Sequence, residues 1–452
     1  MKQLKVLPLV AIISGLMVGC GGGGGGGGGT PTDYVTLTFI QKAKTTVDKS
    51  ATCTIFDKVQ QNGVTTYTYA RKASDVTVYV HDSTGSIIDT MHPDVNGVLT
   101  IDKYPLEEKS YVTFIDSPSD SDPFYKALSI QKELLESQLV QVNRPQVDHC
   151  YAGDVNPVIQ KGYILASTQN AQADSYQFLS SQEEENTVSS NLKEVEKLGD
   201  ESVLVKGIIN GKLSGYEFVN QLGTESVPSI AILERVDTDL NWSNLLVPAS
   251  ELESLDISLS KGVYTYSWDK PNVLTEEAFP ISSIERNYHY QASGTLTTGW
   301  GFKTVGEVSG YLDVKMPDSL RTYDVQPSIV NTGLNGVVQA TGVDSTNELI
   351  LRAKYTQSVN TPTIKTLEHV IIGKPTSGQL VIPDLTQTGL SSANPESLSL
   401  DAYEYANLSE AQVQNILSQY ENEDTVAIVV KPSQRAKHDT DIRSLEYTKL
   451  SR

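Results

Sequence analysis

Residues 75–116 read DVTVYVHDSTGSIIDTMHPDVNGVLTIDKYPLEEKSYVTFID, and no other stretch limits the fold so tightly. Successive side chains of an extended chain point to opposite faces, so Val76, Val78 and Val80 share one side. Ser83-Thr84-Gly85 and Asp94-Val95-Asn96-Gly97 hold residues that favour turns, because Gly admits positive φ and Asp or Asn can bond its own backbone. These turns mark off further strands at 86–91, 98–101 and 111–115. Short alternating strands with a turn every 8 to 12 residues or so indicate a β-sandwich.

The same texture continues, and the fold class expected is mainly β: two or three β-sandwich domains with a few short helices. The segments expected are 34–155, 156–290 and 291–452, the last boundary being a guess. SVLVKGIINGKLSGYEFV, residues 202–219, predicts a hairpin, since Asn210-Gly211 is a type I′ turn dipeptide between two alternating runs. SIAILERV, LDISL, GVYTYSW, YHYQASGTL, GEVSGYLDVKM, LILRAKYTQ, TLEHVIIG, GQLVIP and TVAIVVKP read as strands. Three helices are expected. One lies over 123–138, where Phe124, Leu128, Leu134 and Leu135 have helical spacing. Another runs from Ser181, capped with Glu184, to about 198, and a third covers 410–420, capped by Ser409 and Gln412. No fixed period repeats, which disfavours propellers and solenoids.

The N-terminus carries a different message. Lys2 and Lys5 precede an apolar run over 6–18, too short to span a bilayer as a helix but suited to a signal peptide. It ends in Leu16-Met17-Val18-Gly19-Cys20, which resembles a bacterial lipobox, with Met17 in place of the usual Leu. The resemblance implies cleavage of residues 1–19 and acylation of Cys20, and two or more acyl chains anchor stably. In lipoproteins of enteric type an Asp after the Cys retains the protein at the inner membrane, so by this resemblance Gly21 implies the outer membrane. Nine glycines, Gly21 to Gly29, continue the chain as a coil, so residues 20–33 form a tether with a reach of roughly 15–18 Å. This leader and the CTIFD at 53–57 are similar to surface lipoproteins of marine bacteria, including flagellar sheath lipoproteins. The turn pattern of 75–116 resembles the transthyretin-type, carboxypeptidase-regulatory-like β-sandwiches of bacterial surface proteins, which are scaffolds.

The formal charge is −20, and cleavage would remove two lysines and no acid. Such acidity argues against nucleic acid, whose binding rests on Lys and Arg. It also argues against close docking to anionic lipid. With Cys20 taken by lipid, Cys53 and Cys150 remain as a pair in an oxidising compartment, and a disulfide between them is expected.

Chemistry-bearing motifs are sparse. The six histidines show no HxH, HxxxH or HExxH spacing, and there is no GxSxG elbow. No catalytic residue and no cofactor are expected. Asp116, Asp120 and Asp122 alternate in DSPSDSDPF and are a calcium candidate, against the commoner reading as a solvated acidic turn. Trp242, Trp268 and Trp300 sit in polar, Tyr-rich company, a candidate glycan platform, although Trp in a sandwich is more often core. Three function classes remain: a non-enzymatic outer-membrane surface lipoprotein, structural in the envelope or flagellar sheath; an adhesin or glycan-binding lipoprotein; and an envelope hydrolase.

Overall fold

The computed structural model describes residues 33–116, 124–143, 149–168, 173–183, 185–236, 238–242, 247–316, 326–332, 335–340, 348–361, 363–386, 397–420 and 426–452. The chain is mainly β, as its alternation requires. Its largest element is a 12-stranded sheet. Across it the strands run Tyr264–Asp269, Leu252–Lys261, Tyr288–Thr295, Gly301–Glu307, Tyr447–Ser451 and Ser397–Tyr405. They continue Glu348–Thr361, Thr363–Gly373, Phe124–Gln131, Tyr111–Asp116, Thr77–His81 and Ile87–Met91. Neighbours are antiparallel except at one seam, where Phe124–Gln131 lies parallel to Thr363–Gly373 with Leu128 opposite Val370. The sheet therefore draws strands from all three expected segments, and residue 290 falls inside a strand, Tyr288–Thr295.

One face of this sheet packs Val78, Val112, Phe114, Leu128, Ile130, Val370 and Ile372 into a core shared with a second sheet. That sheet is built around the strand Tyr34–Thr45. The first half of the strand pairs with Val98–Asp102, its second half with Val64–Lys72, and its other edge runs parallel to Gln138–Gln141. Val35, Leu37, Phe39 and Ile40 are buried from it. A seven-stranded sheet formed within 159–235 closes over Ile164, Phe178, Val195, Val205 and Ala231. Its hairpin turns at Asn210-Gly211 with φ of +52° and +77°, as a type I′ turn requires.

The helix expected at 410–420 is present as Glu410–Leu417 plus one 3-10 turn, with reciprocal capping between Ser409 and Gln412. A second helix, Arg435–Arg443, packs against it. The other two expected helices are corrected. Residues 124–141 form the strand Phe124–Gln131, a 3-10 turn and the strand Gln138–Gln141. Five successive residues from Ala127 to Gln131 are buried, because layers cover both faces, and such a strand loses the period of two that would distinguish it from a helix. In the region 181–198, Ser181 gives both its N–H (2.5 Å) and its hydroxyl (2.8 Å) to the Glu201 carboxylate instead of capping a helix. Glu184 lies outside the described residues. Leu192–Leu198 is a strand paired with Ile159–Leu165. GEVSGYLDVKM gives a strand only to Glu307; beyond it Val308, Leu312, Val314 and Met316 are buried, with one bridge from Leu312 to Trp242.

Cys53 and Cys150 form the expected disulfide, with Cα atoms 5.0 Å apart across 97 residues. Backbone bonds from Thr54 to Tyr151 and from Tyr151 to Ala70 flank it. Asn156 accepts from Ile55 N–H and donates to the Cys53 and Ser50 carbonyls. Among the described residues no helix is long and apolar enough to cross a membrane.

Replacing both cysteines by serine, Cys53→Ser with Cys150→Ser, is expected to cost about 2–5 kcal/mol. Urea unfolding with and without reductant checks this. A midpoint indifferent to reductant in the wild-type chain would contradict it.

Candidate functional site

The residues singled out from sequence do not converge. Cys20, the glycines, Asp120 and Asp122 lie outside the described residues. Asp116 is a buried end of the strand Tyr111–Asp116, and one carboxylate oxygen accepts from Asn143 N–H at 2.5 Å. Among the described residues no three His, Cys, Asp or Glu side chains converge to hold a metal.

The tryptophans are packing residues. Trp268 is 1% exposed, meets Tyr216 and Tyr288 edge-on at 5.1 and 5.2 Å, and donates to the Pro280 carbonyl at 2.8 Å. Trp300 is fully buried beside the tight turn at Gly299, with the Arg452 guanidinium 5.7 Å from its ring centroid. Neither offers a face for stacking a sugar. Trp242 is half-buried and donates to the Glu277 carbonyl at 3.0 Å. Trp268→Ala should cost about 3–5 kcal/mol of stability, as loss of a core aromatic does. A melting curve unchanged by that substitution would contradict the core assignment.

The seam of the large sheet carries a buried polar chain. Ser129 Oγ bonds Thr113 Oγ1 at 2.7 Å and His369 Nε2 at 2.7 Å; His369 Nδ1 meets Tyr355 OH at 2.9 Å. Burial pushes the His369 imidazole down to about 3 and the Tyr355 hydroxyl up. His81 is buried nearby, also pushed down by burial, against the opposing pull of the Gly85 carbonyl, Asp384 and Asp82. A serine and a histidine in contact suggest a nucleophile and base, but here the pair is sealed and the hydroxyl bridges two partners. The residues are 240 positions apart, so no local motif could have announced them.

These histidines fold neutral, whereas the unfolded chain protonates them below about pH 6.5. Their stabilisation is therefore full above that pH and is lost as pH falls toward the folded value, about 3 for His369. For His369 stability should drop by about 1.4 kcal/mol per pH unit across that window. Urea unfolding between about pH 7 and pH 4 tests this: His369→Gln should flatten the slope by one proton, and an identical slope would contradict the assignment.

A second serine–histidine contact joins the two helices. Ser418 Oγ bonds His438 Nε2, and His438 Nδ1 lies 3.2 Å from Asp439 Oδ1. Ser418 also donates to the Asn415 carbonyl at 2.7 Å, which His438 Nε2 approaches at 3.0 Å. Ser418 is 5% exposed. The trio fastens the end of one helix to the other.

Two concavities open around the strands Leu252–Lys261 and Tyr264–Asp269, and Ser418 lines neither. A hollow of 530 Å³ lies between 252–256 and 270–274. A smaller groove of 210 Å³ runs beside the helix Arg435–Arg443, lined among others by Glu185, Asp256, Ser258, Lys270, Gln291 and Arg443. Glu185 closes one wall, accepting from Lys270 Nζ and Ser267 Oγ at 2.9 Å each. Behind that wall Lys206 donates to the Ser267 and Trp268 carbonyls, and burial lowers its ammonium to about 8. The groove mixes these charged and polar side chains with Ile257, Tyr290, Val305 and Ile442. No protein-family model matches the chain, and a search of curated proteins finds no similar one.

Proposed function

We propose that the protein is a non-enzymatic surface lipoprotein of the outer membrane, a structural component of the envelope, with the flagellar sheath as its setting. The observation that carries this reading is the leader: two lysines, a short apolar run, Gly19-Cys20 and nine glycines. The first strand beyond the glycines supports it. Tyr34–Thr45 is paired on both edges and buried from four apolar side chains, so a load applied at the tether enters the sheet at a firmly held strand. Lipid on Cys20 supplies anchoring of about 0.8 kcal/mol per buried methylene. The coil lets the acidic body swivel off the headgroups. The sheath setting rests on the similarity of the leader to flagellar sheath lipoproteins.

Cys20→Ser is expected to abolish incorporation of labelled palmitate and to shift the protein from the membrane fraction to the soluble fraction. Retention of label in that variant would overturn the anchor. Immunogold on intact cells reads the setting: gold along the flagellum supports the sheath, and gold appearing only after permeabilisation overturns the surface reading.

A further inference from the structure

The seven-stranded sheet has an inner face, closed over Ile164, Phe178, Val195, Val205 and Ala231, and an outer face that is only partly covered. Over the strands Val203–Ile209 and Lys212–Val219 the outer side chains meet the strand Tyr264–Asp269 of the large sheet. Tyr216 stands edge-on to Trp268 at 5.1 Å, Phe218 edge-on to Tyr266 at 5.3 Å, and Lys206 donates to the Ser267 and Trp268 carbonyls. The Lys261 ammonium lies over the Phe218 ring at 3.8 Å. The chain itself thus shows what covers this face: aromatic and apolar side chains with a cation at the margin.

Over the strands Ser229–Arg235, Ile159–Thr168 and Leu192–Leu198 the same face meets water. Register sets Ile230, Leu165 and Leu192 side by side across the three strands. Ile230 is 63% and Leu192 36% exposed, and Ile232, the next outward residue of its strand, is 46% exposed. A sheet with one face in solvent normally turns polar residues outward. Neighbouring apolar side chains left on such a face mark an interaction surface.

Carboxylates rim the row. Glu194 and Glu196 point outward opposite Tyr163 and Lys161, and the single Lys161 ammonium is shared between them at 3.4 Å each. Exposed Glu234 follows Ile232 on the outer side. Desolvation, then Glu194 and Glu225, push the Tyr163 hydroxyl up, so Glu225 borders the row as well. A second copy of this chain, of net charge −20, would bring the same carboxylates to the contact and be repelled. The sheet edge beside the row is shut to an added strand. The Glu196 N–H donates to Glu183 Oε1 at 2.7 Å and the Leu198 N–H to Glu201 Oε2 at 2.9 Å, so side chains occupy donors that a pairing strand would use.

We infer that the outer face around Ile230, Ile232, Leu165 and Leu192 is a docking surface for a partner protein that presents apolar side chains flanked by lysine or arginine. Burial of the apolar row supplies the attraction. The glutamates select a basic margin and reject an acidic one. The partner lies on the face, as Tyr264–Asp269 does on the covered part, and does not extend the sheet. The surface is independent of the lipid anchor, and either stands if the other fails.

A disulfide-closed β-hairpin peptide with isoleucine and tyrosine on one face and lysine at its margins is the probe, and the same hairpin with glutamate for lysine is its counterpart. Fluorescence anisotropy of the labelled hairpins on the intact protein should show saturable binding of the lysine form, weakening as salt rises, and none of the glutamate form. The double variant Ile230→Thr with Ile232→Thr should bind about tenfold or more weakly. It should melt as the wild type does, because both residues are exposed and threonine keeps the branched side chain that a strand favours. Hydroxyl-radical footprinting of the wild-type protein reads the site without any variant: the lysine hairpin should shield Ile230 and Ile232 from oxidation. No binding of the lysine hairpin, equal binding of the two hairpins, undiminished binding by the double variant, or no shielding of Ile230 and Ile232 would overturn the surface. Sedimentation in which the wild type self-associates and the double variant does not would give the face to a second copy and overturn the partner assigned.

Discussion

The parallel seam between Phe124–Gln131 and Thr363–Gly373 is the pairing on which the rest of the molecule hangs. It joins strands more than two hundred residues apart in sequence and merges them into one 12-stranded sheet. On one face Leu128, Ile130, Val370 and Ile372 fill an apolar layer. On the other, Ser129 and His369 bond directly and extend the contact to Thr113 and Tyr355. The two faces lock the register together. A slip of one residue would turn His369 into the apolar layer and Val370 out of it, because side chains alternate strictly. A buried polar chain that is satisfied only in one alignment therefore contributes specificity as well as bonds. Contacts of such long range must close a large loop before they stabilise anything, which makes this sheet slow to assemble.

How much of this is legible in the sequence depends on where the constraint sits. Local turn chemistry is readable: Asn210-Gly211 makes its hairpin, and Ser409 with Gln412 caps its helix. The disulfide is readable from a count of cysteines and a compartment. The strand Phe124–Gln131 reads as helix because it is covered on both faces, which erases the alternation that identifies a strand. Leu192–Leu198 reads as helix because Ser181 has the composition of a cap, while its partner, Glu201, is set by tertiary contact. The strands Ser397–Tyr405 and Tyr447–Ser451 give little signal, since Lys449 and Asp401 interrupt their apolar faces for reasons visible only across the sheet.

The functional features divide in the same way. The lipid attachment is proposed from contiguous residues and needs no fold to be read. The opposition of Lys303 and Lys449 cannot be read so, because they become neighbours only through strand register. The tryptophans illustrate the converse: polar sequence surroundings suggest exposure, yet Trp268 and Trp300 are core, and Tyr264, Tyr266 and Phe302 beside them are buried as well. The strand Tyr34–Thr45 belongs to one sheet, while the groove beside the helix Arg435–Arg443 borders the other, toward the end of strand order away from Ile87–Met91.

The most direct test of the seam is a cross-link between its opposed residues. Phe124 and Thr366 are register partners at an accessible end of the pairing, and strands so paired stand about 4.8 Å apart, within the span a disulfide can bridge. The variant carrying Phe124→Cys and Thr366→Cys should form that bond on mild oxidation, detected as a linked peptide pair by mass spectrometry. A control with Phe124→Cys and Ile87→Cys, whose partners lie on different strands of the sheet, should not. Failure of the first pair to link in the folded protein, or equal linking in the control, would contradict the single continuous sheet.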